Sequence, residues 1–141
     1  HEGKALSMPK AIIAMAVLLA VAAPVSADAD LDARLAAANL KRGQLLYMVC
    51  KACHDVEAGL PHKVGPNLHG MFGRKAGTAE GFRYTDALVK SGIVWTPETM
   101  DAWLKQPGAL VPGNGMAFAG IANDADRASL VAWLMANSGA Q

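Results

Sequence analysis

Cysteine is scarce, with two residues in a chain of 141, and this excludes a disulfide-dense scaffold. Charge of one dominant sign is also lacking. Lys and Arg number 13, Asp and Glu 12, and the formal net charge is +1. That balance excludes a nucleic-acid or polyanion binder acting through a strong global field. Charged residues are only 18% of the chain against 52% hydrophobic, which excludes disorder as the main state. No segment alternates with period two for long enough to define a strand. The length excludes two ordinary domains. A membrane-crossing run is missing as well. The apolar stretch Ala11–Ala23 has thirteen residues, whereas a spanning helix needs about 20.

That short stretch suits the apolar core of a signal peptide. Lys10 precedes it, and Val25-Ser26-Ala27 sets small residues before Asp28, where a signal peptidase cuts. Met8 reads as the start of the signal, with His1–Ser7 as an upstream scar outside the fold. The expected organisation is therefore residues 1–27 as scar plus export signal and residues 28–141 as one exported domain. A retained signal would instead act as an inner-membrane anchor. The 114 residues from Asp28 onward hold 11 basic and 11 acidic side chains, so the mature domain is neutral.

The rest of the chain reads as all-α. Asp28–Val49 is rich in Ala and Leu, and Leu31, Leu35, Leu45, Leu46 and Val49 recur at helical spacing. Gly43 weakens that helix by about 1 kcal/mol relative to alanine, which points to a packing reason for it. Asp55–Gly81 is dense in glycine and proline and predicts a long functional loop. Thr85 is placed to cap a short helix Asp86–Ser91, closed by Gly92. Thr96-Pro97-Glu98 opens a helix that ends at about Lys105, before Pro107. Gly108–Ala122 reads as irregular. Asn123 with Asp126 caps a last helix reaching about Asn137, with Leu130, Val131, Leu134 and Met135 as its apolar stripe.

Long loops need something to wrap around, and Cys50-Lys51-Ala52-Cys53-His54 says what it is. C-x-x-C-H is the attachment signature of c-type haem. Two thiols three positions apart at a helix end reach both vinyl groups on one porphyrin edge, and the adjacent imidazole of His54 addresses the iron. Other uses of the pair fit less well. A thioredoxin-like motif accompanies strands, and none are predicted. Zinc requires further ligands, and His62 and His69 offer poor spacing for it. A plain disulfide does not require the histidine.

Iron in such a site takes a second ligand, His or Met, and methionine raises the reduction potential. Met71, Met100 and Met135 stand in apolar contexts that suit core filling, and Met48 adjoins the attachment site. Met116 lies in the irregular Val111–Gly120 segment. Composition leaves Met116, the other methionines and His69 open.

The chain resembles the class I cytochrome c family, of the mitochondrial and bacterial cytochrome c2 type. The resemblance rests on Cys50–His54, Gly65-Pro66-Asn67-Leu68-His69-Gly70, Phe72-Gly73-Arg74-Lys75, Phe82–Ala87, Trp95, and Pro112-Gly113 through Met116–Ile121, and runs from about Gly43 to Gly139. It implies a small all-α fold with helices at both ends and one haem c attached through Cys50 and Cys53. It implies His54 as proximal ligand, Met116 as distal ligand, and the Pro66 carbonyl as acceptor for the His54 imidazole. Arg74, Tyr84 and Trp95 match residues that hold a buried propionate, the polar donors such a group needs. Gly43 matches a glycine that lets the first and last helices cross against Trp133, and His62 a histidine that bridges loop backbone. His69 matches a position that is not a ligand. Three positions depart from the family. Trp103 stands where tyrosine is usual, Leu88 where asparagine is, and Asn114 where threonine is, so hydrogen bonding near the methionine sulfur is altered. Most of the lysines that ring the haem edge in mitochondrial members are missing too; Lys51, Lys63, Lys75 and Lys105 remain.

A six-coordinate iron leaves no place for a substrate. The resemblance therefore implies a periplasmic one-electron carrier rather than an enzyme. It would shuttle between a quinol-oxidising cytochrome complex and a terminal oxidase or other reductase, docking through an apolar contact around Leu110, Val111 and Ala117. The alternative is a membrane-tethered haem module or subunit of a larger redox enzyme.

Overall fold

The structure, a computed structural model, describes Gly3 and residues 22–139. Most of the segment read as a signal peptide lies outside the described residues. Among the described residues six helices follow one another: α1 (Ala27–Ala36), α2 (Leu40–Lys51), α3 (Asp86–Lys90), α4 (Pro97–Lys105), α5 (Pro107–Leu110) and α6 (Asp124–Asn137). Among the described residues the only β-type pairing is one bridge between Lys75 and Val94. No helix among them is long and apolar enough to cross a membrane.

The caps follow the side chains. Thr85, Thr96 and Asn123 each accept the backbone N–H three residues on, from Leu88, Thr99 and Asp126. Thr99 returns the contact at α4 by accepting from the Thr96 N–H at 2.8 Å.

Two expectations about helices are corrected. The single helix over Asp28–Val49 is two, because Asn39 caps a new start and accepts from the Arg42 N–H at 3.0 Å. The break resets the helical phase, so Leu45 and Val49, expected on the buried stripe, are solvent-exposed. The inward face of α2 is instead Gly43, Leu46, Tyr47 and Cys50. The irregular stretch from Gly108 also opens with one helical turn, α5, because Pro107 at its first position presets the backbone.

The main helix pair is α2 with α6, and α6 also meets α1 and α4. Gly43 sits at the α2–α6 crossing, where an added Cβ would strike the Ser129 carbonyl and lie 2.7 Å from Trp133 Cβ. One turn on, Tyr47 stacks on Trp133 with ring centroids 4.3 Å apart. Leu130, Val131 and Leu134 fill the core below, with Met71, Met100, Trp103 and Leu104.

A buried cation ties α6 to α4. Arg127 is only 2% exposed, and its Nε donates to Asp101 at 2.8 Å while Nη1 donates to the Ile121 carbonyl at 2.9 Å. Arg34 of α1 reaches the same carboxylate at 3.2 Å. Burial disfavours the charge of Asp101, but hydrogen bonds from Arg34 and Arg127 outweigh it and hold the carboxyl below its ordinary value. A carboxyl depressed in this way contributes stability that is complete above its unfolded pKa of about 3.9 and is lost as pH falls through its folded pKa. Asp101→Asn is therefore expected to be less stable than wild type at neutral pH, with the gap narrowing below about pH 4. Thermal unfolding across pH checks this; a gap of constant size down to the acid end contradicts it.

Candidate haem site

Helix α2 carries the attachment motif out of its last turn. Cys50 is in the helix, and the N–H groups of Cys53 and His54 both donate to the Cys50 carbonyl, at 3.0 and 2.9 Å. This turn brings Cys53 and His54 back against the end of the helix. The two cysteines are partly exposed and are not joined to one another. Burial pushes the Cys50 thiol above its ordinary pKa.

His54 is fixed from behind. Its Nδ1 lies 2.7 Å from the Pro66 carbonyl, which leaves Nε2 as the nitrogen that can be offered to a metal. Burial lowers its pKa, partly opposed by that carbonyl, so the ring is neutral at physiological pH, the form a metal binds. Gly65 leaves the room: a Cβ there would run into the imidazole. The Gly65 N–H in turn donates to the Cys53 carbonyl at 2.9 Å, so the loop and the motif hold one another. Tyr47 completes the support by donating to the His54 carbonyl at 3.0 Å. Burial, then the charges of Glu57 and Asp55, push its hydroxyl up to about 12, so it stays a donor.

The other histidines are engaged by backbone. His62 lies 2.8 Å from the Glu80 carbonyl through Nε2 and accepts from the Asn67 N–H at 2.9 Å through Nδ1. It therefore bridges the two ends of the long loop. His69 Nδ1 lies 3.0 Å from the Val56 carbonyl, and its ring packs against Gly139. Of the methionines in the domain, Met71 and Met100 are sealed in the core, Met48 sits on α2 itself and Met135 packs on the core from α6. Met116 is partly exposed on the loop between α5 and α6 and packs against the core from outside.

Arg74 and Trp95 are brought together by backbone, since the Trp95 N–H donates to the Arg74 carbonyl at 3.0 Å and the Gly73 N–H to the Trp95 carbonyl at 2.7 Å. Tyr84 accepts from the Ala79 N–H at 3.2 Å. Its pKa is raised by burial, against the opposing Ala79 N–H and the positive charge of Arg74. Trp103 is buried and meets Trp95 edge to face at 5.5 Å. Leu68, Phe72, Leu88, Trp95, Met116 and Phe118, from separate segments, pack on the core yet stay partly uncovered. This partly uncovered apolar wall, on a core that Cys50 also packs against, fits a large flat apolar group, and the anchored imidazole of His54 fits its iron centre.

Two supports escaped sequence reasoning. Asn67 is buried, donates to the Glu57 and Leu60 carbonyls at 2.9 Å each, and accepts from the His69 N–H at 2.8 Å. Arg127 was the other, and its signal was present: it stands on the stripe Leu130, Val131 and Leu134 at i, i+3, i+4 and i+7. A charge on a buried stripe marks a paired site. Val111 is corrected as a docking residue. It is 5% exposed, because α5 turns it into the core.

The helices at both ends, the C-x-x-C-H turn and the anchored imidazole define a c-type haem protein of small all-α build. A family model described as Cytochrome c matches residues 40–138. The cytochrome c2 of Blastochloris viridis is 37% identical over 127 residues, covering 90% of this chain and 92% of that protein. Cytochrome c2 iso-2 of Magnetospirillum fulvum is 50% identical over 88 residues, 62% of this chain and 91% of its own length. Cytochrome c of Kluyveromyces lactis is 47% identical over 96 residues, 67% and 87% of the two chains. The chain belongs to the cytochrome c family, with the class I fold. It carries one haem c, bound covalently through Cys50 and Cys53, and is a haem-based electron carrier.

Proposed function

We propose that the protein is an exported, periplasmic one-electron carrier in which His54 and Met116 are the two axial ligands. It links a quinol-oxidising cytochrome complex to a terminal oxidase or other reductase and catalyses no reaction of its own. When bound, haem supplies a one-electron iron couple. The observation that carries this reading is the arrangement of His54: Nδ1 spent on the Pro66 carbonyl and Nε2 free, next to the cysteine pair. Met116 is favoured because His62 spends both ring nitrogens on backbone, His69 turns its Nε2 edge against Gly139, and Met71 and Met100 are committed to the core. With both axial positions filled by protein, no open position remains for a substrate. Arg74, Tyr84 and Trp95 supply the donors for a buried propionate, and the apolar wall keeps water out. Export agrees with the signal-like N-terminal segment, and the c2 names of the two bacterial relatives agree with a carrier of that type.

Docking is expected to be apolar rather than lysine-driven. Met48 and Val49, beside Cys50, are 59% and 65% exposed, and Leu110 and Ala117 are exposed on the methionine side. Lys63 is drawn inward, donating to the Lys51 carbonyl at 2.7 Å and lying 3.3 Å from Asp55. Stopped-flow electron exchange with a purified quinol-oxidising cytochrome complex tests this. The expected result is second-order exchange whose rate constant falls less than about threefold for an about tenfold rise in ionic strength. A steep fall contradicts the apolar contact, and absence of exchange with any such complex contradicts the carrier role.

A further inference from the structure

Met116 hangs on a stretch with little regular structure. Between α5 and α6 the backbone relies on glycines in the left-handed region, with φ of 80° at Gly113 and 83° at Gly115. Glycine has the widest conformational freedom of any residue, so both flanks of Asn114 are intrinsically loose. The side chain of Asn114 counters this. Its Oδ1 accepts from the Met116 N–H at 2.7 Å, and its Nδ2 donates to the Val111 carbonyl at 3.0 Å. Both polar ends are thus used within the loop, closing it over four intervening positions. Thr85 holds the same residue from outside, donating through Oγ1 to the Asn114 carbonyl at 3.1 Å. The loop is seated directly on that threonine, since a Cβ on Gly115 would come within 2.8 Å of Thr85 Cγ2. The far end is held independently by Arg127, through the Ile121 carbonyl, and by the Ile121 N–H, which donates to the Leu104 carbonyl at 2.8 Å.

We propose that Asn114 is a positioning residue for Met116: its side chain clamps the ligand loop and resists displacement of the thioether by competing ligands. This rests on the reading of Met116 as axial ligand. A thioether is a neutral, weak ligand, and its hold on ferric iron depends on how little the loop gains by letting go. Asn114 restricts that gain. The Oδ1 bond to the Met116 N–H forms an Asx turn that fixes the backbone from which the ligand side chain departs. The residue thereby serves the loop itself instead of offering a polar group to the sulfur.

Imidazole titration of the ferric holoprotein tests the clamp, followed by the far-red charge-transfer band of methionine-bound ferric iron. Wild type is expected to show the band and to lose it only at high imidazole. Asn114→Ala is expected to keep the band but bind imidazole about tenfold more tightly, the effect of one to two ordinary hydrogen bonds lost from the methionine-bound state alone. Asn114→Asp, which keeps the acceptor for the Met116 N–H, is expected to return most of the way to wild type. Its added charge nearly cancels, because imidazole and thioether are both neutral. Asn114→Ser closes the same turn more weakly and is expected to lie between wild type and alanine. Unchanged imidazole affinity in the alanine and serine variants, even with a lower unfolding temperature, overturns the clamp. Equal affinity in the alanine and aspartate variants also overturns it. A wild-type protein without the band overturns the ligand assignment itself, and the clamp with it.

Discussion

Met116→Ala is expected to lower the reduction potential by an amount on the order of a few hundred millivolts, a sizeable part of the about 0.8 V that axial ligation spans. A thioether favours the ferrous state. From Gln106 to Ala122 the chain has no histidine and no lysine. His62 spends both ring nitrogens on backbone, and His69 turns its Nε2 edge against Gly139. The variant is therefore expected to open a position on the iron and bind carbon monoxide when reduced, whereas wild type is expected not to bind it at neutral pH. Met48→Ala serves as the control. Met48 lies on the exposed side of α2, so its loss is expected to leave the potential unchanged. A Met116→Ala protein with the wild-type potential contradicts the ligand assignment.

Gly43→Val is expected to destabilise the fold by about 3 kcal/mol or more, the upper part of the range for overpacking. The clash is with backbone, since an added Cβ would strike the Ser129 carbonyl, and neither α2 nor α6 can yield separately. Parting them would unstack Tyr47 from Trp133 and loosen the Tyr47 hydroxyl from the His54 carbonyl. The effect thus reaches the haem site. For a domain of this size the unfolding temperature is expected to fall by at least about 10 °C. A variant that melts with wild type contradicts the close crossing.

Much of this was legible from residue order. Thr96-Pro97, Asn123 with Asp126, and Thr85 announced three helix starts, because a cap is a local event between neighbours in sequence. Gly43 announced a close approach, because a glycine inside a helix is otherwise unfavourable. C-x-x-C-H announced the attachment point, because the spacing is the chemistry. What stayed hidden was set by tertiary contact. The break at Ala37–Asn39 was masked by a run of alanines that carries no phase information. The burial of Val111 depends on how α5 turns, and the roles of Asn67 and Asn114 depend on carbonyls that the fold brings to them. Asn114 stood out as a departure from the family, yet only the structure shows both of its polar ends turned into its own loop.

The most direct test of the account is a potentiometric titration of the purified haem protein, followed optically. One one-electron wave at clearly positive potential is the predicted result, as expected for His54 and Met116 on one iron. A potential well below zero would contradict it, because methionine would then not be holding the iron.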